Sequence, residues 1–317
     1  MRRKCAKTST GSGVCLENNA AGNIAADFAR APSRSISVPS LEGVPIETRT
    51  PLQYEYWREH LSSHTDRELV QFILSGIQSG VGIGYFGPQR SLVSPNWPSS
   101  LENRVKVTEV INNNLYHGRV AGPWDHPPLA NFVSSPLGAV TKKHTDKVRV
   151  IHDLSWPPGQ SVNDGISKED YTLSYSTIDD AVDKCLLFSE PCWMAKCDLK
   201  NAFTHIITRP ADWNQLGFQW EGKYYISTCL PFGMRSSPKL FDIFAQGLEY
   251  MAIQNGTSPL TSHYLDDTIT IEGSQATCDH SINVFKSTAK SSGMDIHQDL
   301  PKCTKCSSGN GVPWCHY

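Results

Sequence analysis

Three aspartates in this chain could together hold a divalent cation. Asp266 and Asp267 are adjacent, and strand-forming residues lie on both sides of them, at 262–265 and 268–271. An Asp-Asp pair between such runs favours a tight hairpin, because Asp tolerates turn geometry. The pattern therefore predicts two carboxylates at the tip of a hairpin. Asp198, at the end of another apolar stretch, supplies a third carboxylate.

Carboxylates that arrive from separate strands suit Mg²⁺. This ion takes hard oxygen ligands and shares its remaining positions with the phosphates of a substrate. Without a cation the adjacent carboxylates would repel each other. An Asp-Asp pair in a turn is more often structural, so the interpretation as a metal site depends on the rest of the chain.

Hydrophobic periodicity predicts the elements that would position these carboxylates. Helical spacing predicts helices near residues 52–78, 105–115, 176–188, 237–254 and 275–291. Alternating patterns predict β-hairpins at 137–151, 216–226 and 262–271. The order of strands, hairpins and helices after residue 190 predicts an α+β sheet with helices on one face. We expect residues 1–50 to be a flexible tail and residues 51–134 to be a helical N-terminal extension.

A cluster of cations lies on the first predicted hairpin. Lys142, Lys143 and Lys147 lie in its tip, and Arg149 lies on the return strand. An isolated run of this kind is usually a solvated basic turn. Such a hairpin can also reach over a triphosphate and neutralise its charge.

Composition limits the class of protein. A hydrophobic content of 39% over 317 residues supports a buried core. The net charge of −2 gives no global basicity, so a nucleic-acid partner would need positive charge concentrated locally. The N-terminal residues do not resemble a secretory signal, and no stretch approaches the roughly 20 apolar residues of a membrane span. We therefore expect a cytoplasmic or nuclear protein that is not secreted, with reduced cysteines.

A zinc site is a weaker alternative near the end of the sequence. Cys303 and Cys306 have ligand spacing, whereas Cys315 and His316 are adjacent. Structural zinc sites use four such ligands at regular spacing, so only half of this pattern fits.

Five motifs, in order, resemble those of reverse transcriptases. They are Lys-Val-Arg-Val-Ile-His-Asp-Leu-Ser with Ser-Val-Asn (147–155, 161–163), Asp-Leu-Lys-Asn-Ala-Phe (198–203), Leu-Pro-Phe-Gly-Met-Arg-Ser-Ser-Pro (230–238), Tyr-Leu-Asp-Asp (264–267) and a degenerate Gly-x-x-Ile…Lys (293–302). The resemblance covers about residues 135–302. Upstream, the glycine-rich segment 80–87 and the motifs at 118–123 and 135–138 are similar to those of DIRS-type retrotransposons. There the enzyme copies element RNA beside an RNase H domain and a tyrosine recombinase.

The resemblance implies a right-hand polymerase of the α+β class. Fingers would occupy residues 135–190, an antiparallel palm sheet backed by helices would occupy 191–317, and the thumb would be absent. The implied activity is an RNA-directed DNA polymerase that transfers dNTPs to a primer 3′-hydroxyl with two Mg²⁺ ions, or Mn²⁺. Asp198 and Asp266 would bind both ions with help from the Leu199 carbonyl, and Asp267 would be a weaker ligand.

The resemblance also implies a dNTP site. Its residues would be Lys142, Arg149, Leu199, Phe203, Phe232, Gly233 and Lys302. Lys142 and Arg149 would grip the triphosphate, and Phe203 would stack under the sugar and exclude a 2′-hydroxyl. Gly233 would let the backbone approach the nucleotide, and Phe232 stands where retroviral enzymes carry Gln. Lys302, near the leaving phosphate, lies two residues further from the glycine of its motif than is usual in the family.

The implied partners are an RNA template with a DNA or RNA primer, dNTPs, and the RNase H and recombinase domains of a parent element, with no membrane.

Three other interpretations stay open. A truncated remnant could bind nucleic acid without catalysis. An RNA-dependent RNA polymerase shares the palm carboxylates, but Phe203 opposes it, because NTP users keep a smaller or polar residue there. A pure nucleic-acid-binding module receives poor support from the near-neutral charge.

Overall fold

The computed structural model describes residues 34–141, 148–173, 178–189, 191–297 and 304–305. The helices are α1 (Tyr54–His60), α2 (Arg67–Ser79), α3 (Pro98–Glu102), α4 (Arg104–Tyr116), α5 (Ile178–Cys185), α6 (Ser237–Gln254) and α7 (Gln275–Ser292). The strands are β1 (Arg34–Pro39), β2 (Pro45–Thr50), β3 (Leu92–Val93), β4 (Val120–Trp124), β5 (Val133–Ser134), β6 (Leu137–Thr141), β7 (Val148–His152), β8 (Trp193–Asp198), β9 (Gly217–Trp220), β10 (Lys223–Ser227), β11 (Ser262–Tyr264), β12 (Asp267–Glu272) and β13 (Thr304–Lys305). The predicted α+β class is confirmed.

Four sheets organise the described residues, and one of them carries the predicted carboxylates. This sheet has the strand order β11-β12-β8-β13, and every pairing in it is antiparallel. Along β8, Ala195 and Cys197 point into the main core, whereas Met194 packs with Ile269 and Ile271 in a second cluster on the other face. Burial on both faces fixes the register, because a shift of one residue would turn every side chain to the opposite face.

Helices α6 and α7 back the β11-β12-β8 sheet. Helix α6 has Leu240, Phe244 and Leu248 buried on one face, at the spacing that places side chains along one side of a helix. Helix α7 begins after Ser274, whose side-chain oxygen accepts a hydrogen bond from the Thr277 backbone N–H. Both helices match the predicted ranges at their first residues.

The other three sheets contain all the described strands that precede β8 in the chain. A five-stranded sheet has the order β3-β5-β9-β10-β4, so strands from residues 92–134 pair with the 217–227 hairpin. Strands β6 and β7 form a separate two-stranded sheet, as the sequence predicts. Within the described segments, no helix is long and apolar enough to cross a membrane.

The expectation of a flexible tail is wrong for residues 34–50. Strands β1 and β2 form an antiparallel hairpin there. Ile46, Thr48 and Thr50 alternate inward, and the Thr48 hydroxyl lies 2.8 Å from the Thr228 hydroxyl. Two of the three inward residues are polar threonines that gain buried hydrogen bonds, so the alternation carries little hydrophobic signal.

Candidate active site

The register of β8 and β12 places Asp198 directly opposite Asp267. The Leu199 N–H donates to the Asp266 carbonyl at 2.9 Å, so Asp198 and Asp267 form a non-hydrogen-bonded antiparallel pair. Opposed Cα atoms in such a pair lie about 4.5 Å apart with their side chains on the same face. The two carboxylates therefore share one end and one face of the sheet.

Asp266 lies in the two-residue turn between β11 and β12. Tyr264 pairs with Asp267, and the turn consists of Leu265 and Asp266. Leu265 has a φ of +52°, a left-handed conformation that a leucine seldom adopts. The prediction of two carboxylates in the hairpin tip is therefore wrong for Asp267, which is the first residue of β12. Strand pairing extends one residue further toward the tip than the Asp-Asp motif suggests.

Lys196 lies beside Asp267, and the His297 Nε2 lies 3.8 Å from the Asp198 carboxylate. The Lys196 ammonium lies 2.8 Å from the Asp267 carboxylate. Lys196 is two residues before Asp198 on β8, so both side chains project from the same face. This cation neutralises part of the charge of Asp267.

The pKa of Asp266 is raised above its ordinary value. Desolvation by the surrounding protein is the largest cause, and the charges of Asp198 and Asp267 add to it. Lys196 opposes this shift. The residue as a whole remains exposed, so the site keeps access to a ligand. Crowded carboxylates of this kind favour a bound cation, which would relieve their repulsion.

The donor set fits Mg²⁺ that is shared with a substrate. Within the described ranges, no three His, Cys, Asp or Glu side chains are grouped closely enough to enclose a metal ion. Mg²⁺ is usually held by one or two carboxylates plus substrate phosphates and water, without a closed protein cage. Asp198 and Asp266 would supply the carboxylates, and the adjoining Leu199 carbonyl would be another hard oxygen at the end of β8.

The chain after β8 brings Phe203 beside Phe232. Phe203 lies in a short 3-10 turn, residues 202–205, that follows Asp198 closely. Its ring centroid lies 5.0 Å from that of Phe232 and 5.5 Å from that of Phe241. His205 anchors this turn, because its Nε2 accepts the Asp295 N–H at 3.0 Å and its Nδ1 contacts the Ala202 carbonyl.

Arg149 completes this aromatic cluster. Its guanidinium carbon lies 5.9 Å from the centroid of the Phe232 ring, within the range of a cation–π contact. Phe232 is 43% exposed and Arg149 is exposed, so both can meet a ligand. The structure thus brings the exposed Arg149 and Phe232 into one row with the half-buried Phe203.

Gly233 lets strand β7 approach the loop that carries Phe232. Its φ is +105°, and a Cβ at this position would overlap the carbonyl oxygen of His152. Glycine is therefore required by the backbone conformation and by the close approach of His152.

Asn163 links the segment that follows β7 to the loop that carries Phe232. It was not among the predicted site residues. It is buried, and its side-chain amide donates to the Gly233 carbonyl and to the Ser155 hydroxyl, both at 2.8 Å. Its side-chain oxygen accepts a hydrogen bond from the Arg235 backbone N–H at 2.8 Å. The Ser-Val-Asn motif is the sequence signal that could have identified this role.

Several predicted site residues lie outside the described residues. They are Lys142, Lys302, Cys303, Cys306, Cys315 and His316. Their assignments to a triphosphate site or a zinc site stay predictions.

Comparison with known proteins gives a family and a fold. A family model described as reverse transcriptase (RNA-dependent DNA polymerase) matches residues 141–313, more than half of the chain. A search of the curated proteins gives no match.

Three solved structures of foamy virus protease–reverse transcriptase are similar to this chain. A mutant of the prototype foamy virus protein has a TM-score of 0.54 and 18% identity, covering 76% of this chain and 32% of that one. A complex with double-stranded DNA has a TM-score of 0.52 and 16% identity, covering 80% and 44%. The native prototype protein has a TM-score of 0.52 and 15% identity, covering 86% and 41%. The chain thus spans less than half the length of these proteins, and at such identities the likeness concerns the fold.

Proposed function

Since the chain belongs to the reverse transcriptase family, we propose that it is an RNA-directed DNA polymerase that adds deoxynucleotides to a primer on an RNA template. The observation that carries the proposal is the register of β8 and β12, which gathers the Asp198 and Asp267 carboxylates at one end of the sheet, beside the Asp266 turn. Phe203, in the turn that follows β8, begins a row of two aromatic rings and an arginine that suits a nucleotide.

Asp198 and Asp266 would hold two Mg²⁺ ions, with the Leu199 carbonyl as a further oxygen ligand and Asp267 as a weaker one. Bound Mg²⁺ would lower the pKa of the primer 3′-hydroxyl and neutralise charge on the leaving pyrophosphate. Lys196 holds Asp267 through its ion pair and so reduces the repulsion among the three carboxylates.

The aromatic row would receive the nucleotide. Arg149 would bind the triphosphate by charge-assisted hydrogen bonds, for which a guanidinium is well suited. Phe203 would lie under the sugar, where its ring leaves no room for a 2′-hydroxyl. The DNA complex of the foamy virus protein supports a nucleic-acid partner for this fold.

We further propose a retrotransposon origin of the DIRS type. The glycine-rich segment 80–87, the motifs at 118–123 and 135–138, and Phe232 in place of a retroviral Gln support this subtype. Such an element would supply RNase H and tyrosine recombinase domains as partners, and copying would take place in the cytoplasm or nucleus.

Primer extension on poly(rA)/oligo(dT) tests the polymerase assignment. With Mg²⁺ we expect the chain to add dTTP to the primer and to use UTP poorly. Preferential use of UTP would favour an RNA-dependent RNA polymerase. Tight binding of the primer–template without extension would favour the non-catalytic remnant.

Phe203→Ala should admit ribonucleotides, because removing the ring opens the space that a 2′-hydroxyl needs. We expect the preference for dTTP over UTP, measured as the ratio of kcat/KM values, to fall by roughly tenfold or more, about 1.4 kcal/mol. Phe203→Tyr is the matched control, since it keeps the ring and should keep the preference. An unchanged ratio in Phe203→Ala would show that the ring only packs against Phe241.

Arg149→Ala should weaken nucleotide binding more than template binding. The lost charge-assisted phosphate contact is worth about 1.5–3 kcal/mol, or roughly ten- to a hundredfold in the dNTP KM. Steady-state kinetics and primer–template titration measure the two effects separately. Arg58→Ala, on helix α1, is the control and should change neither value. Loss of template binding with an unchanged dNTP KM would place Arg149 on the nucleic-acid path.

A further inference from the structure

Strand β11 is tied to helix α6 by one side chain, His263. Its Nδ1 lies 2.6 Å from a carboxylate oxygen of Glu249, and its Nε2 lies 3.1 Å from a carboxylate oxygen of Asp242. The His263 backbone N–H also donates to Glu249, at 3.1 Å. Since both ring nitrogens face carboxylates, both must donate, and this requires the imidazolium form.

The surroundings of His263 favour its charged form. The side chains of His263, Asp242 and Glu249 are 14%, 11% and 26% exposed, so solvent screens them only in part. Burial lowers the pKa of His263, but hydrogen bonds and charge interactions with both carboxylates outweigh it and raise the pKa to about 9. On α6, Gln246 donates to Asp242 at 2.7 Å, and Lys239 interacts with that carboxylate.

The hairpin needs such support because its own pairing is short. Strand β11 has three register pairs, lies at the edge of its sheet, and leads into a turn with a left-handed leucine, Leu265. On β12 the residue opposite His263 is Thr268, which is uncharged, and the next pair contains Asp267. The contacts from α6 therefore hold this edge strand, and the turn that follows the strand contains Asp266.

We propose that His263 is a positioning residue, which clamps β11 to α6 and thereby fixes Asp266 relative to Asp198. Its effect on catalysis rests on the proposed polymerase function, whereas its effect on the hairpin does not. The clamp involves no proton transfer. His263 would stay protonated between its two carboxylates through the working pH range.

His263→Gln tests the clamp, because Gln keeps a donor but loses the charge and the second contact. We expect kcat for primer extension to fall on the order of tenfold at pH 7.5, with less than about a threefold change in dNTP KM. A histidine with its pKa raised from 6.5 to about 9 stabilises the fold fully below pH 6.5, and this support is lost as pH rises through 9. The wild type should therefore lose activity near pH 9 in a step that the variant lacks.

His280→Gln, at an exposed position on α7, is the matched control and should behave as wild type. Amide hydrogen exchange of residues 262–268 tests the clamp independently of enzyme activity. The exchange rates are corrected for the intrinsic rates and compared with those of α7. We expect faster exchange of this segment in His263→Gln. If His263→Gln exchanges faster but the wild-type chain never extends a primer, the proposed function is contradicted and the clamp is still supported. An unchanged exchange pattern, or a high-pH step that persists in the variant, would overturn the clamp.

Discussion

Asp198→Asn should abolish primer extension, with a loss on the order of 10³-fold or more in kcat. The substitution keeps the shape of the side chain but removes a charge that would hold both metal ions. Asp198 lies at the end of β8, where its backbone carbonyl accepts the His297 N–H at 3.0 Å, and Asn leaves this bond unchanged. The fold should therefore persist while activity disappears. Asp266→Asn should have the same effect.

Single-turnover extension of a labelled primer measures the loss, and circular dichroism with thermal unfolding checks the fold. Asp279→Asn, at an exposed position on α7, makes the same chemical change away from the site and serves as the control. Extension by Asp198→Asn at a rate near that of the wild type would show that the carboxylate does not bind the catalytic metal.

Gly233→Ala should destabilise the chain by about 2–4 kcal/mol, because a left-handed backbone and a steric overlap act together. A Cβ there would overlap the His152 carbonyl oxygen, so β7 must move away from the loop that carries Phe232. This movement would also separate Arg149 from Phe232. We therefore expect a higher dNTP KM in any enzyme that still folds.

Gly222→Ala separates the two causes. Gly222 has a φ of +77° in the β9–β10 turn, but a Cβ there would meet no atom within 4 Å. This control should lose only the conformational part, about 1–2 kcal/mol. Denaturant unfolding of both variants measures the difference. Equal losses for the two glycines would mean that the approach of His152 to Gly233 contributes nothing.

The parts of this structure that depend on local pattern are the parts that could be predicted from sequence. Helices α6 and α7 begin where apolar spacing places them, because each buries one continuous face. The hairpin that carries Asp266 follows from strand-forming residues on both sides of a turn signal. Asp198 was a candidate third carboxylate because it ends another apolar stretch, and the resemblance then assigned it to the same site as Asp266.

The parts that were missed depend on contacts between distant segments. Hairpin β1–β2 is stabilised by Ile46 and by threonines that hydrogen-bond across the fold, and such residues look polar in the sequence. The ion pair of Lys196 with Asp267 requires the register of β8 and β12, which sequence spacing does not reveal. The role of Asn163 likewise depends on the loop at Gly233 folding back onto it.

Copying of a mixed-sequence RNA tests the central claim most directly. The purified chain, a DNA primer annealed to an RNA template, four dNTPs and Mg²⁺ would be incubated with and without a chelator, and the product would be sequenced. We expect chelator-sensitive extension whose product is the DNA complement of the RNA. A folded chain that binds this primer–template but adds no templated deoxynucleotide with Mg²⁺ or Mn²⁺ would contradict the assignment of Asp198 and Asp266 to a polymerase site.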